Sequence, residues 1–129
     1  MSAMTADDFR TLALALPGVI EAAHQGHADF RVRGKIFATL GYPGEEWGMV
    51  RLAPEEQAKR VRQAPAVFVP AKGAWGEQGS TLVKLEAASA ESVRPAMRAA
   101  WERLVREETA AQLKAGARGK PERPKRMKI

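Results

Sequence analysis

The chain has 129 residues, 45% of them hydrophobic and 28% charged, with no cysteine and a net charge of +6. That length supports one domain around a single core, and this composition is that of a globular protein. No apolar run is long enough to span a membrane, and disulfides, thiolate chemistry and Cys-ligated metals are excluded. The chain's start has no basic segment leading into an apolar one, so no signal peptide is expected; with no Cys, the compartment expected is the cytoplasm. Lys114, Arg118, Lys120, Arg123, Lys125, Arg126 and Lys128 face one anion, Glu122, and so carry the whole excess charge; residues 1–113 hold fourteen cations and fourteen anions.

In chain order, the first expected element is a helix opened by Thr5. Its hydroxyl can accept from the backbone of Asp8 while Asp8 reaches back, a capping-box pattern, and Met4 and Phe9 have the spacing of a hydrophobic staple. Phe9, Leu12, Ala13 and Leu16 form one apolar face, and Pro17-Gly18 ends the helix. Val19–His24 follows as a short strand. Gly26–Leu40 then reads as a tight hairpin turning at Arg33-Gly34, where Gly34 supplies a positive φ without a Cβ penalty. That turn pairs Val32 with Lys35, Arg31 with Ile36 and Phe30 with Phe37; a one-residue slip would exchange the two faces. Tyr42–Glu46 is a turn. Trp47–Leu52 alternates, with Trp47, Met49 and Arg51 on one side and Gly48, Val50 and Leu52 on the other.

Pro54 and the pair Glu55-Glu56 open a short second helix, which ends before Pro65. Its weak apolar face, Ala58 and Val61, suits a helix covering a sheet edge. Val67-Phe68-Val69 is a short strand, Ala71–Ser80 a glycine-rich loop, and Thr81–Leu85 an alternating strand. Ser89 is the N-cap expected for a last helix with the stripe Val93, Met97, Ala100, Trp101 and Leu104. Pro95 argues for a start nearer Ser92, and fraying is expected near Gly116. The result is an α+β, two-layer domain over residues 4–113: an antiparallel sheet with helices on one face, in the order α-β(3–4)-α-β(2)-α. Residues 114–129 are expected to be a disordered basic tail.

Gly26-His27, Phe30-Arg31-Val32, Gly34-Lys35-Ile36-Phe37-Ala38, Trp47-Gly48 and Trp75-Gly76 together resemble the MmcQ/YjbR family of small bacterial proteins. Leu16-Pro17-Gly18 and Trp101 fit as well, and the resemblance covers about residues 4–105. It implies a two-layer fold like that of type III secretion chaperones and the frataxin-like group. It also implies DNA binding through a double-wing surface. The family has no established enzymatic activity, so no catalytic residue is carried over.

Three constellations can carry function. Arg31, Arg33 and Lys35 give the hairpin the cations of a wing that touches phosphate, or simply a charged exposed face, with Asp29 able to pair with Arg31. His24 and His27 beside Asp29 are suitable ligand types for zinc or iron, but the chain has only these two His and the spacing is not a metal pairing; no metal or cofactor is expected, and His27 is read as a contact residue. Gly73–Ser80 lacks the Lys-Ser/Thr of a phosphate loop. Its Trp75 can stack on a base, anchor a peptide or fold over the open sheet face. The neighbouring acid pairs and serines form no general acid–base or nucleophile arrangement. The expected function is non-enzymatic DNA binding through Arg31, Arg33, Lys35, Arg51 and Lys84 on the body and Lys120, Arg123, Lys125, Arg126 and Lys128 in the tail. The alternative is a protein-binding or chaperone-like module. No membrane partner is expected, and the oligomeric state stays open.

Overall fold

The computed structural model describes residues 3–118. Its elements are α1 (Ala6–Leu14), β1 (Val19–His24), β2 (His27–Val32), β3 (Lys35–Leu40), β4 (Trp47–Arg51), α2 (Pro54–Gln63), β5 (Phe68–Pro70), α3 (Gly73–Glu77), β6 (Ser80–Lys84), a 3-10 turn at Leu85–Ala87, and α4 (Ala90–Arg118). The strands form one antiparallel sheet in the order β1-β2-β3-β4-β6-β5. α4 packs across β2, β3 and β4, and α1 packs on α4 and β1. This is the α+β arrangement expected, with four strands before α2 and two after it.

The hairpin turns where expected. Arg33 and Gly34 have φ of 54° and 81°, so both central residues sit in the left-handed region, as a primed two-residue turn requires. Val32 faces Lys35 and Arg31 faces Ile36, but Phe30 faces Ala38 and not Phe37. Phe37 is the extra residue of a β-bulge. Without it, strict alternation from Lys35 would turn Ala38 and Leu40 away from the core. The bulge shifts the phase, so Phe37, Ala38 and Leu40 are all buried.

Local signals account for most helix boundaries. Thr5 and Asp8 form both bonds of the capping box, and Met4, Phe9 and Ala13 are buried. α1 nevertheless ends at Leu14, before Pro17-Gly18. Ser89 and Ser92 cap α4 reciprocally, each side chain accepting from the other's backbone N–H. α4 therefore starts at Ala90, not near Ser92, and includes Pro95. Proline removes the bond to the carbonyl four residues earlier, here Glu91; both residues are exposed, where water can replace it. The backbone of α4 continues to Arg118, past Gly116 and through the first residues assigned to the tail.

Phe9, Phe30, Phe37, Phe68, Val50, Leu52, Val83, Val93 and Met97 fill the core between helices and sheet. Gly48 belongs to this layer: a Cβ there would come within 2.7 Å of the Phe9 ring. Trp101, expected with the core stripe, is only half-buried. α2 covers β5, as expected of a helix at a sheet edge, with Val61 partly buried but Ala58 exposed. β5 is offset by one residue from the expected Val67–Val69. Val67 is outside the strand, its carbonyl accepting from Lys84 N, and Pro70 is tolerated because an edge strand needs no donor on its outer side.

Candidate functional site

Strand alternation builds a second face, which no helix of the α1–α4 layer covers. Register places Ile20, Ala22, His27, Asp29, Arg31, Ile36, Thr39, Trp47, Met49, Arg51, Ser80, Leu82, Lys84 and Val69 on it. A groove of about 450 Å³ crosses these strands. Ile36, Met49 and Leu82 give its floor apolar character, and Thr39 and Ser80 add hydroxyls. Gln25, His27 and Tyr42 line one side; Arg51, Trp75 and Gln78 line the other. From β2 to β6 the sheet spans three strand spacings, about 14 Å.

The segment Ala71–Ser80, expected as loop, holds the five-residue helix α3. Its glycines hid it, yet one of them makes its docking possible. A Cβ on Gly76 would lie 1.7 Å from the Ala71 carbonyl oxygen, so no side chain fits there. Gln57 in α2 fixes the same segment, its Nε2 donating to Gly76 O at 2.9 Å and Ser80 O at 3.0 Å. α3 thereby carries Trp75 to the rim of the groove with 66% of its surface exposed. Across the groove Tyr42 is 54% exposed, and its ring meets that of His27 nearly edge-on, centroids 6.0 Å apart. The His27 ring has room beside Gly41, where a Cβ would approach Nδ1 to 3.2 Å.

The three hairpin cations do not share one surface. Arg31 lies on the open face, where Nε and Nη2 donate to the two carboxylate oxygens of fully buried Asp29 at 2.7 and 3.1 Å. These bonds raise the Arg31 pKa, with burial opposing them and the Asp29 charge adding to them. Lys35 is on the opposite side of the hairpin and Arg33 is in the turn; both are exposed. Arg51 is exposed at the groove and makes no ion pair or side-chain hydrogen bond among the described residues. Lys84 lies half-buried opposite Trp47, further along the same face. Lys120, Arg123, Lys125, Arg126 and Lys128 lie outside the described residues.

Sequence spacing could not reveal the meeting of Tyr42 and Trp75 around one groove. α2 and β5 lie between them in the chain, and only the β4–β6 pairing brings them together. Gln25, Gln78 and Tyr42 carried no signal of their own. Among the described residues no group of three or more His, Cys, Asp or Glu could hold a metal, and no helix is long and apolar enough to cross a membrane. A shallower depression of about 360 Å³ between α1 and the start of α4 contains neither a cation nor an aromatic ring.

No curated protein matches the chain. Among solved structures, it is similar to the crystal structure of the Deinococcus radiodurans protein DR2400, whose domain is described as DUF419. The TM-score is 0.63 at 18% identity, over 77% of each chain, a likeness of fold. The YjbR family model matches residues 14–103, a stretch running from the end of α1 into α4 and including every strand and the whole open face. The chain belongs to the YjbR family.

Proposed function

We propose that the protein is a non-enzymatic nucleic-acid-binding module that uses the open sheet face, assisted by its basic C-terminal segment. One observation carries this reading: exposed Arg51 stands beside exposed Trp75 on a face whose strands bear a single carboxylate, Asp29, already engaged by Arg31. Phosphate is attracted to a cation without a competing acid, and aromatic rings offer a surface to bases. Arg33 in the hairpin turn and Lys84 along the face extend the cationic reach in both directions, while Lys35, on the opposite side of the hairpin, adds only to the general attraction. The segment with Lys120, Arg123, Lys125, Arg126 and Lys128 adds sequence-independent attraction.

The test is a salt titration of DNA binding by the full chain and by its Arg51→Glu/Lys84→Glu variant. Loss of affinity in the double variant at every salt concentration supports the sheet face. Identical curves would assign all binding to the tail. The apolar floor of Ile36, Met49 and Leu82 favours the second reading, a protein-binding module; it takes the lead if the full chain shows no affinity for nucleic acid.

A further inference from the structure

We infer that the groove between Tyr42 and Trp75 takes an unstacked base, so the open face selects single-stranded nucleic acid over duplex. This rests on the nucleic-acid reading and adds to it the form of the partner.

Five features converge. Trp75 is exposed yet held, because Gln57 anchors α3 at Gly76 and the chain beyond it at Ser80, the first residue of β6. An exposed aromatic ring on a fixed support is pre-organised, and little freedom is lost when a flat partner stacks on it. The floor of Ile36, Met49 and Leu82 is apolar and belongs to a sheet, matching the face of a base and not its charged backbone. The volume, about 450 Å³, is on the scale of one small organic group. Around this floor stand the amides of Gln25 and Gln78, which can both donate to and accept from a base edge. Arg51 supplies the positive charge for the adjoining phosphodiester.

Duplex fits this arrangement poorly. Its bases are stacked and paired, so it offers the groove only phosphates, which the apolar floor cannot satisfy. A single strand offers both the base face and the phosphate, and stacking is tolerant of sequence. Charge favours this occupant over an acidic peptide to a lesser degree, since both are anionic; the flat aromatic rim decides for the base.

The experiment measures fluorescence anisotropy of a labelled thymidine oligonucleotide and of a duplex of equal length, with the full chain and its Trp75→Ala, Trp75→Phe and Arg51→Gln variants. Trp75 is exposed, so the variants should unfold at the wild-type temperature, which circular dichroism checks. The expected result is a single-strand affinity lowered roughly 5- to 100-fold by Trp75→Ala and largely restored by Trp75→Phe. Duplex affinity should be unchanged by either substitution at Trp75, and Arg51→Gln should weaken both forms. Equal single-strand affinity for wild type and Trp75→Ala, with duplex still bound, overturns the base site and leaves the nucleic-acid reading standing. No binding of either form overturns both, as does capture of an acidic peptide in their place.

Discussion

The indole N–H of Trp101 donates to the carbonyl oxygen of Pro17 across 2.9 Å, joining α4 to the chain just after α1. Trp101 is thus a clasp at the margin of the core, with the Arg98 guanidinium 5.8 Å from its ring. Its removal should cost less than that of a fully enclosed Trp. Trp101→Ala is expected to lower stability by about 2–3 kcal/mol, and Trp101→Phe, which keeps most of the ring and loses the bond, by about 1 kcal/mol. Urea unfolding of the two variants measures both; a loss near 5 kcal/mol for Ala would mean Trp101 is enclosed.

The turn at Arg33-Gly34 makes two predictions of opposite sign. Arg33 has φ of 54°, which most side chains resist and Asn accepts readily. Arg33→Asn should raise stability by about 0.5–1 kcal/mol, since Asn-Gly is the favoured pair for a primed turn. Gly34→Val should lower it by at least about 1 kcal/mol through strain at φ 81°, although a Cβ meets nothing within 4 Å there. Thermal unfolding curves moving in opposite directions are the expected outcome.

Gly48→Ala probes the core from the sheet side. The new methyl would come within 2.7 Å of Phe9 Cε2, so the ring or the strand has to shift. Overpacking of this kind costs about 1–3 kcal/mol. Pairing the change with Phe9→Leu should recover part of the loss; a double-mutant cycle that is strictly additive would place the strain elsewhere.

Gln57→Leu removes the donor to both Gly76 O and Ser80 O. Each carbonyl keeps a backbone donor, Gly79 N–H for Gly76 and Ala71 N–H for Ser80, so the loss is that of two ordinary hydrogen bonds, about 1–3 kcal/mol together. The sharper readout is local. Amide hydrogen exchange should quicken through Gly73–Glu77 while β2 and β3 keep their protection.

Neutralising Lys120, Arg123, Lys125, Arg126 and Lys128 to Gln tests the contribution of the basic segment to binding. Each phosphate contact contributes about 0.9 to the log–log salt slope on duplex DNA, so five engaged cations would reduce its magnitude by up to about 4.5. A slope that does not change would exclude the segment from contact.

Much of the fold was legible because alternation and capping are local. Gly48, Val50 and Leu52 against Trp47, Met49 and Arg51 could be sorted by period alone, and Thr5 with Asp8 announced α1. The bulge at Phe37 was not legible, because a phase shift leaves no residue type behind; only the burial of Ala38 and Leu40 exposes it. α3 was masked by glycines that pattern reading assigns to loops, although Gly76 is there for want of space beside Ala71. Pro95 points to a later start for α4, but the reciprocal caps of Ser89 and Ser92 outweigh it. At the candidate site, Trp75, His27 and Arg51 could be chosen by type. Their gathering with Tyr42 around one groove depends on long-range pairing, and the withdrawal of Arg31 depends on a rotamer.

Alternation along β4 and β6 also separates two kinds of change. Val50 and Val83 point to the helices, while Met49, Arg51, Leu82 and Lys84 point away from them. Substitutions on the outward set leave the hydrophobic skeleton untouched, so their effects on stability should add to those of core changes without interaction. The molecule is a chassis with two separable sides: its four outward positions on β4 and β6 can be rewritten while the inward ones continue to specify the same architecture.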